Sequence, residues 1–160
     1  TPEAEALYQA LTQAGIYSEL HDDIEVALWE KFLLVTSLSG VGAVTRAPIG
    51  DLRAHAATRR MLETVMSEIV AVGKARGVAL ADDLIARTFQ FVETFPPETT
   101  TSMQRDLING LPSELDAQTG AVVRLGVEVG VPTPVNSFLY DSLMLQELRA
   151  RGQLESRLQL

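Results

Sequence analysis

The sequence has no cysteine, which excludes disulfides, iron–sulfur clusters and a thiol nucleophile. Its only imidazoles are His21 and His55, too few for a His-based zinc centre, so no metal site is expected. Lysine is almost as scarce: of 13 basic residues all but Lys31 and Lys74 are arginine. No basic run occurs, and 21 acidic residues leave a net charge of −8, so neither nucleic acid nor an anionic membrane is an expected partner. No apolar stretch reads as long enough to span a bilayer, and the first residues lack the pattern of a secretory signal. These absences point to a cytoplasmic protein.

What remains is a chain of 160 residues, 46% hydrophobic and 21% charged, enough for one domain with a packed core. Its punctuation is helical. Thr1 and Pro2 suit the start of a short helix to Ala14. Ile16–Leu20 alternates like a strand, and a lone strand needs a partner from elsewhere. Asp22 and Asp23 are caps for a long helix over residues 24–45, broken by Ala47-Pro48-Ile49-Gly50. Apolar spacing predicts a second long helix over 56–76, ended by Gly77, and a third over 82–95, ended by Pro96-Pro97. Thr101 with Gln104, and Ser113 with Asp116, have capping-box spacing for helices closed near Gly110 and Gly130. A last helix spans 135–151. The fold class is therefore all-α, a compact bundle of about six helices preceded by a short α-β piece.

The division that follows is residues 1–20 as the tail of a preceding domain, 21–152 as the helical body, and 153–160 as a loose tail. The faces of residues 56–95 and 135–151 are apolar enough for self-association as a homodimer.

Lys31 is the most informative position. A chain that otherwise uses arginine keeps here the one cation that can give up its proton near neutral pH. Its helical neighbours Ala27, Leu28, Leu34 and Val35 include no acid, so no intrahelical ion pair accounts for it. Two readings stand open. Lys31 is a stripe-edge residue reaching solvent, or a desolvated proton donor. Glu114 falls where the Ser113 cap places it in a first helical turn, either stabilising its own helix or binding a hydroxyl or cation. Ser102, within a run of hydroxyls at a helix start, is either an ordinary cap residue or a contact for a carboxylate or phosphate. Gly40-Val41-Gly42 lacks a preceding strand and a third glycine, so it is not a dinucleotide fingerprint.

Taken in order, several segments resemble the C-terminal domain of the ketopantoate reductase (2-dehydropantoate 2-reductase) family. They are Asp23-Ile24 with Leu28-Trp29-Glu30-Lys31, then Ala47-Pro48-Ile49-Gly50-Asp51-Leu52, then Thr101-Ser102-Met103-Gln104-Arg105-Asp106. Ser113-Glu114-Leu115-Asp116 with Gly120, and Gly130-Val131-Pro132-Thr133-Pro134-Val135-Asn136 with Leu139-Tyr140, complete the series. The resemblance implies a helical domain like those of ketopantoate reductase and 6-phosphogluconate dehydrogenase. It also implies a partner Rossmann domain that holds NADP and pairs with the 16–20 strand.

The activity implied is an NADP-dependent oxidoreductase of the pantothenate-biosynthesis type, reducing a 2-keto acid or related carbonyl. In it Lys31 is the general acid, Ser102 and Ser39 contact substrate, and Glu114 lines the cleft beside substrate and cofactor. This chain alone is expected to be inactive. Val35, Ser39 and Ile49 stand where the family's ketopantoate enzymes carry asparagines, which implies a substrate other than ketopantoate. A non-catalytic association module of the same fold is the alternative.

Overall fold

The computed structural model describes residues 1–154, and within them the only regular secondary structure is helical, with no strand. The helices are α1 (Pro2–Gln13), α2 (Ile24–Thr45), α3 (Ile49–Ala54), α4 (Ala56–Ala75), α5 (Leu84–Val92), α6 (Ser102–Ile108), α7 (Thr119–Val129) and α8 (Pro134–Ala150). Ile16–Leu20, expected as a strand, is neither helix nor strand: no other strand exists among the described residues for it to pair with. Of the expected loose tail, Gln153 and Leu154 lie in bends after α8, and residues 155–160 fall outside the described residues.

α2 is the axis of the bundle. Asp23 caps it, its Oδ1 accepting from the N–H groups of Glu25 (3.0 Å) and Val26 (3.2 Å). Arg46 closes it in the left-handed region at φ 56°. The helix is apolar all round its C-terminal half because neighbours cover it on every side: α4 against one face, α6 against another, α7 and α8 against a third. Gly40 lets Leu139 of α8 approach, since a Cβ there would stand 3.2 Å from Leu139 Cδ1. By length and hydropathy this 22-residue helix could cross a bilayer, contrary to the expectation that no stretch is long enough. Its apolar side chains instead supply the middle of a protein core, with Leu33 and Val41 at 1% and 0% exposure.

Two clusters make that core. The larger joins Leu33 and Val41 to Leu52 of α3, Leu62, Val65, Met66 and Ile69 of α4, Val92 of α5 and Leu139 of α8. The smaller brings Ala43 together with Met103 and Leu107 of α6, Leu115 and Leu143. Each fully buried side chain of this size contributes about 1.5–3 kcal/mol. Glu68 of α4, buried at the edge of this core, is fully engaged: it accepts from the N–H groups of Val135 and Asn136, both at 2.9 Å, and from Asn136 Nδ2 at 2.7 Å. A carboxylate at the open N-terminus of α8 meets its positive end.

Three boundaries differ from expectation. Ala47–Gly50 is not only a break but the approach to α3. The N–H groups of Ile49 and Gly50 donate to the carbonyls of Thr99 (2.9 Å) and Pro97 (2.8 Å), tying this corner to the loop before α6. Gly50 is required there, because a Cβ would come within 2.8 Å of Pro97 Cα. α5 is shorter than residues 82–95. α7 starts at Thr119, after a run of turns, rather than at Ser113.

Cover is uneven. α1 has no buried residue, and Leu7, Ile16, Tyr17, Leu20, Ile24 and Leu28 are all exposed. On α8, Phe138 and Leu145 are exposed on the face expected to carry self-association.

Candidate active site

At 100° per residue, Ile24, Leu28, Lys31, Val35, Leu38 and Gly42 lie along one face of α2. α6 covers the C-terminal part of that face, where a Cβ on Gly42 would meet the Gln104 side chain at 2.7 Å. The N-terminal part is uncovered, and Lys31 is exposed. Of the two readings of Lys31, its position within this chain is that of a stripe-edge residue reaching solvent, because its stripe neighbours Ile24 and Leu28 are themselves 61% and 58% exposed.

Lys31 opens onto a cleft of about 550 Å³ between the start of α2, the segment before it, and α5. The apolar wall is Ala27, Leu34, Leu84 and Phe91; the polar wall includes Glu19, His21, Glu30, Arg87 and Thr88. Arg87 is held in place by Glu30 (3.1 Å) and by Asp83 one turn earlier (3.1 Å). The bond that Arg87 donates to Glu30, with the charge of Asp83, raises the Arg87 pKa, so it is a fixed cation. Lys31 contrasts with the second lysine. Lys74 pairs with Asp82 at 2.5 Å, whereas Lys31 makes no ion pair or side-chain hydrogen bond among the described residues. A free ammonium beside an apolar wall can donate to an oxygen that enters the cleft.

The other candidates are placed differently. Ser102 is the first residue of α6, exposed, with the capping bond to Gln104 N–H (3.3 Å) made by Thr101 instead. Glu114 is exposed in the loop before α7, not in a helical first turn, so a helix terminus does not account for it. Ser39 is fully buried and its Oγ has no partner. A substrate cannot reach it without displacing core side chains. Ile49 is likewise 2% exposed and packed in the larger cluster, so its lack of an amide reflects the core. The cleft at Lys31 includes none of Ser39, Ser102 or Glu114. Gly40 and Gly42 are buried within α2 and form no phosphate cradle.

Beside Glu114, Asp116 accepts from Tyr140 Oη (2.7 Å) and Arg124 Nη1 (2.7 Å). The Tyr140 hydroxyl, then Arg124, hold the Asp116 carboxyl below its ordinary pKa. Burial and the Asp116 charge push Tyr140 up. Sequence reasoning missed Arg87 and Glu30 as cleft residues. Their pairing spans 57 positions, and nothing local signals it.

A family profile described as ketopantoate reductase PanE/ApbA C terminal matches residues 23–147. The 2-dehydropantoate 2-reductase of Caulobacter vibrioides is 29% identical over 138 residues, covering 86% of this chain and 47% of that protein. The solved PanE/ApbA family ketopantoate reductase from Ralstonia eutropha aligns with a TM-score of 0.83 and 32% identity, over 92% of this chain and 49% of that one. D-mandelate dehydrogenase, solved in complex with NADH, aligns with a TM-score of 0.81 and 25% identity, over 91% of this chain and 50% of that one. The chain thus spans about half the length of the relatives it matches.

Proposed function

The chain belongs to the ketopantoate reductase family, matching its C-terminal domain, and from that premise we propose that it is the substrate-facing half of an NADP-dependent reductase of 2-keto acids or related carbonyls. Residues 1–20 then belong with a nucleotide-binding domain of Rossmann type, against which the uncovered Ile24 and Leu28 pack, and residues 21–152 form the catalytic half. The observation that carries the reading is Lys31: an unpaired ammonium, exposed at the mouth of a cleft with an apolar wall.

NADPH, when bound, supplies the hydride to the carbonyl carbon. Lys31 donates a hydrogen bond to the carbonyl oxygen, stabilises the negative charge that develops there, and passes it a proton to give the alcohol. Cover from a second domain removes water from around Lys31 and strengthens that interaction. Ser102, with its hydroxyl free at the start of α6, donates to a substrate carboxylate. Glu114, with an exposed carboxylate, accepts from a hydroxyl or amide of cofactor or substrate. Ser39 enters this scheme only if substrate binding opens the core beside it. Val35, half-buried one turn beyond Lys31, presents methyl groups rather than an amide, which favours substrates without ketopantoate's hydroxyl.

The test is Lys31→Ala and Lys31→Arg in the full two-domain protein. Lys31→Ala is expected to lower kcat by about 10²–10⁴-fold, with less change in KM. Lys31→Arg is expected to fail as well, since a guanidinium does not release its proton near neutral pH. Near-normal kcat in either variant removes Lys31 from the mechanism.

A further inference from the structure

Glu114 differs from the other exposed candidates in how its backbone is held. The Ser113 N–H donates to both carboxylate oxygens of Glu147 on α8, at 3.1 Å each, and the Ser113 hydroxyl donates to Glu147 Oε2 at 2.6 Å. The same hydroxyl oxygen accepts from the Leu115 N–H at 3.2 Å, bridging across Glu114. Arg151 closes the arrangement: its Nε donates to Glu147 Oε1 at 2.6 Å and its Nη2 to the Ser113 carbonyl at 2.8 Å. The Glu114 carbonyl accepts from the Gln118 N–H at 2.9 Å.

Both peptide groups flanking Glu114 are therefore fixed, and Leu115 beside it is fully buried in the smaller core cluster. Only the Glu114 side chain is left free to meet a ligand. The clamp rests on a carboxylate that is 2% exposed, an arrangement tolerated only when every lone pair has a partner. Four charge-assisted bonds to that carboxylate serve a single loop residue and the arginine one turn beyond it.

We propose that Glu147, locked by Arg151, is a positioning residue that sets the direction of Glu114 toward the cofactor and substrate. The proposal rests on the reductase reading above. A loop allowed to drift by an ångström loses much of the advantage of a placed carboxylate, on the order of 10²-fold in the limit. Glu147 touches no ligand in this scheme and acts only through Glu114.

The experiment is a double-mutant cycle in the full two-domain protein, with Glu147→Gln and Arg151→Met each made alone and combined with Glu114→Gln. NADPH affinity is read by fluorescence titration, kcat/KM is read with a reducible 2-keto acid, and Tm is recorded for every variant. Glu114→Gln and Glu147→Gln are each expected to lower NADPH affinity or kcat/KM by about ten- to a hundredfold. In the Glu114→Gln background, the second change is expected to add less than about twofold, because coupled residues do not add. Arg151→Met, at an exposed position, is expected to show the same pattern more weakly, and it carries the test if Glu147→Gln does not fold.

Equal losses with and without Glu114, or a fall in Tm with both ligand readouts unchanged, overturn the proposal and leave Glu147 as a loop fastener. The NADPH readout does not depend on Lys31. An active Lys31→Ala therefore defeats the general-acid assignment while the cycle still decides the clamp.

Discussion

The two halves of α2 both carry large apolar residues but differ in their surroundings. From Leu33 onward the helix is enclosed, and its side chains are the centre of the larger cluster. Before Leu33 the same helix carries Ile24 and Leu28 into solvent, with Lys31 between the two regimes. Periodicity records that a face is apolar; it does not record what covers it. Val26, Trp29 and Phe32 of that half pack against the core, whereas the face of Ile24 and Leu28 has no cover, and on our reading it is the nucleotide-binding domain that covers it.

The sharpest way to break this comparison is truncation at equivalent leucines. Leu33→Ala, deep in the enclosed half, is expected to destabilise the isolated chain by about 2–5 kcal/mol in urea unfolding. Leu28→Ala, in the open half, is expected to stay within about 0.5 kcal/mol. Similar losses at both positions mean that the open half is covered after all. A smaller effect sharpens the same contrast. Leu28→Asp should leave urea unfolding of the isolated chain nearly unchanged, yet lower the stability of the full two-domain protein by about 1–3 kcal/mol, because it places a charge in the join. Indifference in both settings shows that the second domain packs elsewhere.

Much of the fold was legible because its signals are local. Asp23 and Thr101 cap the helices their spacing announced, and α2 runs between the residues its apolar content marked. α3 was illegible because it is held by the Pro97–Thr99 loop, nearly fifty residues away, and its own sequence reads as a break. The late start of α7 has a similar cause. Ser113 has the spacing of a capping residue but turns its hydroxyl toward Glu147, 34 positions on.

The candidate site was partly legible for a related reason. A charged residue within an apolar stripe is a visible anomaly, and Lys31, Glu68 and Glu147 all show it. The two acids are buried among backbone N–H donors, while the lysine is exposed. The stripe could not say which, since the deciding partners for the acids come from α8 and the loop before α7, while Lys31 has no such partner among the described residues. The resemblance places Val35, Ser39 and Ile49 where the family's ketopantoate enzymes carry asparagines. Two of them point into the core, where a hydroxyl or an isoleucine answers to packing.

The contact between Glu68 and the start of α8 has a consequence for the order in which this chain can become a protein. Glu68 sits in the middle of α4, yet among the described residues the groups that satisfy its carboxylate lie at residues 135 and 136. Until those residues have been synthesised, enclosing the acid means stranding a charge, and hydration wins. α4 is therefore expected to keep that flank hydrated until the final helix docks against it. On that argument the last segment made licenses the burial of one made much earlier, and α4 and α8 are expected to open together in native-state hydrogen exchange; independent opening of α8 would contradict it.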